Sequence, residues 1–253
     1  MREIILHIPH SSLDIPKEYL RDYTIDNSSL ESYNIEMSDM FTDQIFENKK
    51  FHTVRFNYSR LFCDVEKYLD PKLEPMSKYG MGPIYTHIYD GTRIRNISSE
   101  RRNLIIDKYY NGHHERLDNL TKDLVDAGRN VLVIDCHSFS DMLASYLFGN
   151  GVYPDICVGY DEDYADENAI RIILEEFRKF GYTIEFNYPF RGALVPNLAF
   201  TDEHYKRNVK GVMIEINRKT YLNKGNELDD IKFAKMKQII KSIYDRIDES
   251  VHF

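Results

Sequence analysis

Two histidines in this sequence stand directly after short apolar runs of the kind that form buried strands. Asn130 to Ile134 leads into Asp135-Cys136-His137-Ser138, and Ile4 to Ile8 leads into Pro9-His10-Ser11-Ser12. Open α/β sheets gather their chemistry beyond the carboxyl ends of their strands, so both histidines fall where a site is expected. Strand alternation puts Asp135 and His137 on one side, where the carboxylate can orient the imidazole or its surroundings. Cys136 points the other way, which argues against a Cys136/His137 nucleophilic pair. One histidine at a strand end is often only a satisfied polar residue; two, one with a carboxylate beside it, point to a metal.

A hydrolytic zinc site takes three protein ligands, commonly two histidines and a carboxylate, and leaves a position open for water. Asp39 is the candidate third ligand, on a helix expected over Met37 to Asn48 that also carries Asp43 at i,i+4. Asp64, after Leu61-Phe62-Cys63, is the reserve. Glu215 interrupts the apolar run Gly211 to Ile216, and a glutamate there is costly to bury unless it is paired or functional. It is placed to move a proton between water and a leaving amine. Arg218, three residues on, can hold a carboxylate bidentately. Arg60, Arg93, Arg95 and Arg191 lie beside turn signals and form the remaining supply of anion-binding groups. At most one of His113 and His114 can face a site.

These groups must be positioned by a scaffold, and the sequence outlines one. Short β-branched runs recur at 3 to 8, 51 to 56, 130 to 136, 155 to 159, 182 to 186 and 211 to 216. Helical patterns separate them at Met37 to Asn48, Ser99 to Gly128, Asp166 to Phe180 and Leu228 to Ile247. Such alternation implies one α/β domain over residues 1–253 with a largely parallel sheet. Asp64 to Arg95 is broken by Pro71, Pro75, Gly80, Gly82, Pro83 and Gly91, and reads as a long ordered loop over the site, with Tyr85, His87 and Tyr89 embedded.

Composition narrows the partners. With 41 acidic and 33 basic residues the formal charge is -8, which argues against broad nucleic-acid binding and leaves any anionic substrate to local arginines. The 3 cysteines form no CxxC pair, and no run approaches a membrane span or signal region, so a soluble cytoplasmic protein is expected. Nucleotide-binding and serine-hydrolase fingerprints are missing.

Taken together, Ile8 to Ser12, Ser38 to Asp43, Ser59 to Glu66, Asp135 to Ser138 and Glu215 to Arg218, in this order, resemble the N-formylglutamate amidohydrolase family from residue 4 to about 222. The resemblance implies a three-layer α/β/α fold with a mixed, mostly parallel sheet, similar to zinc carboxypeptidases and aspartoacylases. It implies hydrolysis of a small acidic N-acyl amino acid such as N-formylglutamate. His10 and His137 become zinc ligands with Asp39 as the third, another divalent ion being possible. Glu215 becomes the general base and acid, and Arg60 and Arg218 bind substrate carboxylates. Ser12 and Ala193 stand where the family commonly has glycine, so the pocket is expected to differ in shape. A related deacylase or carboxypeptidase, and a binding protein that keeps the pocket without turnover, are the alternatives.

Overall fold

The computed structural model describes residues 2–250. Among these residues six strands form one sheet: β1 (Arg2–Ile8), β2 (His52–Arg55), β3 (Asn130–Phe139), β4 (Ile156–Gly159), β5 (Ile184–Phe186) and β6 (Val209–Asn217). Their order is β2-β1-β3-β6-β4-β5. The first four in that order run parallel; β4 is antiparallel to β6 and parallel to β5. The sheet is therefore mixed and mostly parallel, with helices on both faces, as the alternation of runs implies.

The helices are α1 (Asn27–Met37), α2 (Thr42–Ile45), α3 (Ser99–Ile105), α4 (Asn111–Asp126), α5 (Asp141–Phe148), α6 (Glu167–Lys179), α7 (Leu198–Thr201), α8 (Glu203–Asn208) and α9 (Asp230–Glu249). One face of the sheet is apolar along its whole length. Leu6, Ile134, Cys136, Ile214 and Ile216 pack there against Ile173 and Phe177 of α6 and Ile239 and Ile243 of α9. Burying each such side chain stabilises the fold by roughly 1.5–3 kcal/mol.

The other face changes character along the strands. Ile5, Val131, Val133 and Val209 pack against Leu117 and Val125 of α4. Toward the carboxyl ends the same face then presents His7, Asp135, His137 and Glu215, all buried. The register sets His7 beside Asp135 and His137 beside Glu215. One face thus holds the domain together at one end and gathers ionisable groups at the other.

The structure departs from expectation around Asp39. Of the helix expected over Met37 to Asn48 only α2 forms; α1 ends at Met37, and Asp39 lies in the turn between the two, so it shares no helical face with Asp43. Asp43 pairs with Arg55 at 2.7 Å. The apolar pattern does not announce α1, because its buried stripe of Leu30, Asn34 and Met37 carries a polar residue at its centre. Its start signal was present, since the Asp26 side chain accepts from the Ser29 N–H. Nor does the apolar pattern announce α5, whose apolar residues face both the core and a cavity at the carboxyl ends of the strands.

Truncating the centre of the apolar face, Ile134→Ala, should lower stability by about 2–5 kcal/mol in chemical denaturation. A loss below about 1 kcal/mol would show that this face is not tightly packed.

Candidate metal centre and active site

His10 leaves the end of β1, His137 lies near the end of β3, and Asp39 comes from the turn between α1 and α2. Their ligand atoms lie within 4.8 Å of one another. The Asp39 N–H donates to the His10 carbonyl at 2.8 Å, which ties the turn to the strand end. Phe41, two residues on, has a φ of 64°, a left-handed conformation rare for a bulky residue, and it reverses the chain into α2. Arg218 secures the turn from the opposite side. Its guanidinium donates to the carbonyls of Ile35, Glu36 and Ser38, the orphan acceptors at the end of α1.

Hydrogen bonds on the far side of each imidazole decide which nitrogen faces the site. His10 Nε2 donates to Asp64 Oδ1 at 2.9 Å, and His137 Nε2 donates to Asp135 Oδ1 at 3.0 Å. That leaves both Nδ1 atoms turned toward Asp39 Oδ2, at 3.6 Å from His10 and 2.9 Å from His137. His10 Nδ1 is buried with no hydrogen-bond partner among the described residues. A proton between His137 Nδ1 and Asp39 Oδ2 relieves the repulsion among these converging atoms, and a divalent cation at the same place would replace that proton. Two histidines and a carboxylate suit zinc-type coordination, and a carboxylate behind each histidine is the usual support for such ligands. The residues fit a divalent metal.

The supporting carboxylates are themselves held. Asp64 Oδ2 accepts from Arg60 Nε and Nη2 at 3.1 and 2.9 Å and from the Tyr85 hydroxyl at 2.7 Å. Asp135 Oδ1 also accepts from His7 Nδ1 at 2.8 Å, and its Oδ2 accepts from the Leu194 N–H at 2.9 Å. His7 Nε2 meets His113 Nε2 at 2.8 Å. Burial alone would raise Asp64 and Asp135, but Arg60 and His10 in the first case, and His137 and His7 in the second, hold both below the usual carboxylate range. Burial likewise opposes Asp39, and hydrogen bonds and charge from His10 and His137 prevail to lower it. Burial opposes the protonated form of His137, yet Asp135, Asp39 and Glu215 together raise its pKa.

Glu215 stands beside His137 across the β3/β6 register. Burial pushes its carboxyl up to about 8, against the pull of His137. It lines a cavity of about 520 Å³ together with His10, Asp39, His137, Arg60 and Arg191. The covering loop over 64–95 contributes Glu66, Met76, Met81 and Tyr85 to the same cavity. His87 does not line it; the ring bonds Thr86 instead.

Two of the expected substrate arginines lie elsewhere. Arg95 is fully buried, donates to the Phe62 carbonyl and lies over the Tyr23 ring, and it does not line the cavity. Arg218 is committed to α1 and borders a separate cleft. Their place beside turn signals reflected backbone carbonyls to be satisfied rather than a ligand. Sequence reasoning passed over His7, although it interrupts an apolar run as Glu215 does. It also passed over Glu66, which forms with His7 and Asp135 a second group whose ligand atoms lie within 4.8 Å.

A mixed α/β sheet with a buried His/Asp/His cluster and an adjoining glutamate defines a metal-dependent hydrolase type of site. Residues 2–222 match the family described as N-formylglutamate amidohydrolase, and the chain belongs to that family. The solved N-formylglutamate amidohydrolase from Ralstonia eutropha JMP134 superposes with a TM-score of 0.80 at 19% identity, over 98% of this chain and 94% of that one. A gene product from Agrobacterium tumefaciens superposes with a TM-score of 0.66 at 18% identity, over 97% and 92%. A search of curated proteins finds no significant match.

Replacing either supporting carboxylate, Asp64→Asn or Asp135→Asn, should weaken zinc binding by about 10- to 100-fold in chelator competition. An unchanged affinity would detach these carboxylates from the site. Because the raised His137 holds a proton where a metal would bind, zinc affinity should rise with pH. Titrations at pH 6 and pH 8 that gave equal affinities would contradict that competition.

Proposed function

We propose that the chain hydrolyses the N-acyl amide of an acidic amino acid, with N-formyl-L-glutamate, the substrate in the family's name, as the first to test. The observation that carries this reading is the facing of both histidine Nδ1 atoms toward Asp39 within the cavity that Glu215 also lines. Zinc is the metal the donor set favours, and when bound it would supply Lewis acidity to the acyl oxygen and lower the pKa of water.

The chain's own residues supply the rest. Glu215, buried and at hand, takes the proton of the attacking water and passes it to the departing nitrogen. Its raised pKa suits it to return that proton, since a strongly acidic carboxyl would hold it too weakly. Arg60 lies 3.8 Å from Asp39 and lines the cavity, where its charge offsets the negative charge that develops on the acyl oxygen. Arg191 receives the substrate carboxylate.

This reading treats residues 1–253 as a single catalytic domain akin to zinc carboxypeptidases and aspartoacylases. No helix among the described residues is long and apolar enough to cross a membrane. The three cysteines, free and buried, fit a reducing compartment.

Glu215→Gln should retain zinc and fold while kcat falls by about 10²- to 10⁴-fold on N-formyl-L-glutamate. Turnover close to wild type, measured by released amine, would remove Glu215 from the proton path.

A further inference from the structure

We propose that the cavity extends this reaction to N-formyl amino acids with an apolar side chain of aromatic or methionine size, anchored by one carboxylate on Arg191. The inference rests on the hydrolytic reading above and concerns the amino acid that the site admits.

Among the described residues, three lysine and arginine side chains line the cavity. Arg60 is held by Asp64, and Lys67 pairs with Glu74 at 3.3 Å. Arg191 has no side-chain partner among the described residues, and it is exposed at the cavity wall. One free guanidinium matches one carboxylate as a bidentate pair. The second carboxylate of N-formyl-L-glutamate has to share Arg60 or Lys67 with Asp64 or Glu74, so binding through Arg191 does not require it.

The wall that adjoins Arg191 in the chain is aromatic. Phe190, the residue before Arg191, packs against Phe139 at 5.5 Å and Phe148 at 5.3 Å between ring centroids, and all three line the cavity. An α-carboxylate and a side chain leave the same carbon atom. A substrate anchored on Arg191 therefore lays its side chain near these rings. Met76 and Met81 of the covering loop add adaptable apolar surface to the same cavity.

The segment bearing Phe190 and Arg191 is also held in place. The Asn187 side chain, at a φ of 52°, accepts from the N–H groups of Tyr160 and Gly192. Cys157 Sγ donates to the Phe190 carbonyl at 3.2 Å. At Gly159 an added Cβ would lie 2.2 Å from the Gly192 carbonyl oxygen, so a glycine there lets the segment approach the sheet.

The test compares kcat/KM of the zinc-loaded protein for N-formyl-L-phenylalanine, N-formyl-L-methionine and N-formyl-L-glutamate. A site built around the glutamate side-chain carboxylate rejects analogues lacking it by on the order of 10⁴-fold. We expect both apolar substrates to reach at least a tenth of the glutamate value; values below a tenth for both overturn the proposal. Phe148, 51% exposed at the end of α5, can be changed without opening the core. Phe148→Arg should lower the ratio of phenylalanine to glutamate substrate efficiency at least tenfold, and an unchanged ratio counts against the aromatic wall. Calorimetry with the free products makes the two readings separable. If no formyl amino acid is hydrolysed, the proposed reaction fails, yet tighter binding of L-phenylalanine than of L-glutamate still supports the specificity, and weaker binding overturns it.

Discussion

The hydrogen bonds from Nε2 of His10 to Asp64 and from Nε2 of His137 to Asp135 decide what the site can be. An imidazole with both nitrogens free can present either one; a buried carboxylate on one side fixes the tautomer and leaves the other nitrogen as a lone-pair donor. Here the choice is made twice, and both Nδ1 atoms turn toward Asp39. Without the two carboxylates the same residues would be a loose polar cluster. With them, the two Nδ1 atoms and Asp39 are set to take a cation together.

Much of the surrounding fold serves to keep those carboxylates ionised despite burial. Desolvating a carboxylate is expensive, and each is offset by a different means. Asp64 has Arg60 and the Tyr85 phenol from the covering loop. Asp135 has His7 from the neighbouring strand and a backbone N–H from the 187–195 segment. Arg218 fixes the end of α1 and so the turn that delivers Asp39. The apolar half of the sheet makes this affordable, because Val131 and Val133 anchor the strand whose far end carries Asp135 and His137.

Sequence patterns disclosed the sheet well, since each strand is a run of β-branched residues ended by a turn signal, and they located His10, His137 and Glu215 because strand alternation fixes which side a residue faces. Three-dimensional packing hid the rest. Asp39 lies in an irregular turn held by long-range donors from Arg218 and Tyr221, which no local pattern announces. Arg95 and Arg218 resemble anion-binding arginines in sequence, yet their guanidiniums satisfy backbone carbonyls more than 30 residues away. His113 reaches His7 across 106 positions of chain, a pairing that only the docking of α4 onto the sheet creates.

The claim on which everything turns is that a metal sits between the two Nδ1 atoms and Asp39. Anomalous diffraction from zinc-loaded crystals tests it directly. One strong peak is expected, bonded to His10 Nδ1, His137 Nδ1 and an Asp39 oxygen, with Asp64 and Asp135 still on the Nε2 atoms. A peak instead among His7, Glu66 and Asp135, or no peak near His10, would contradict it.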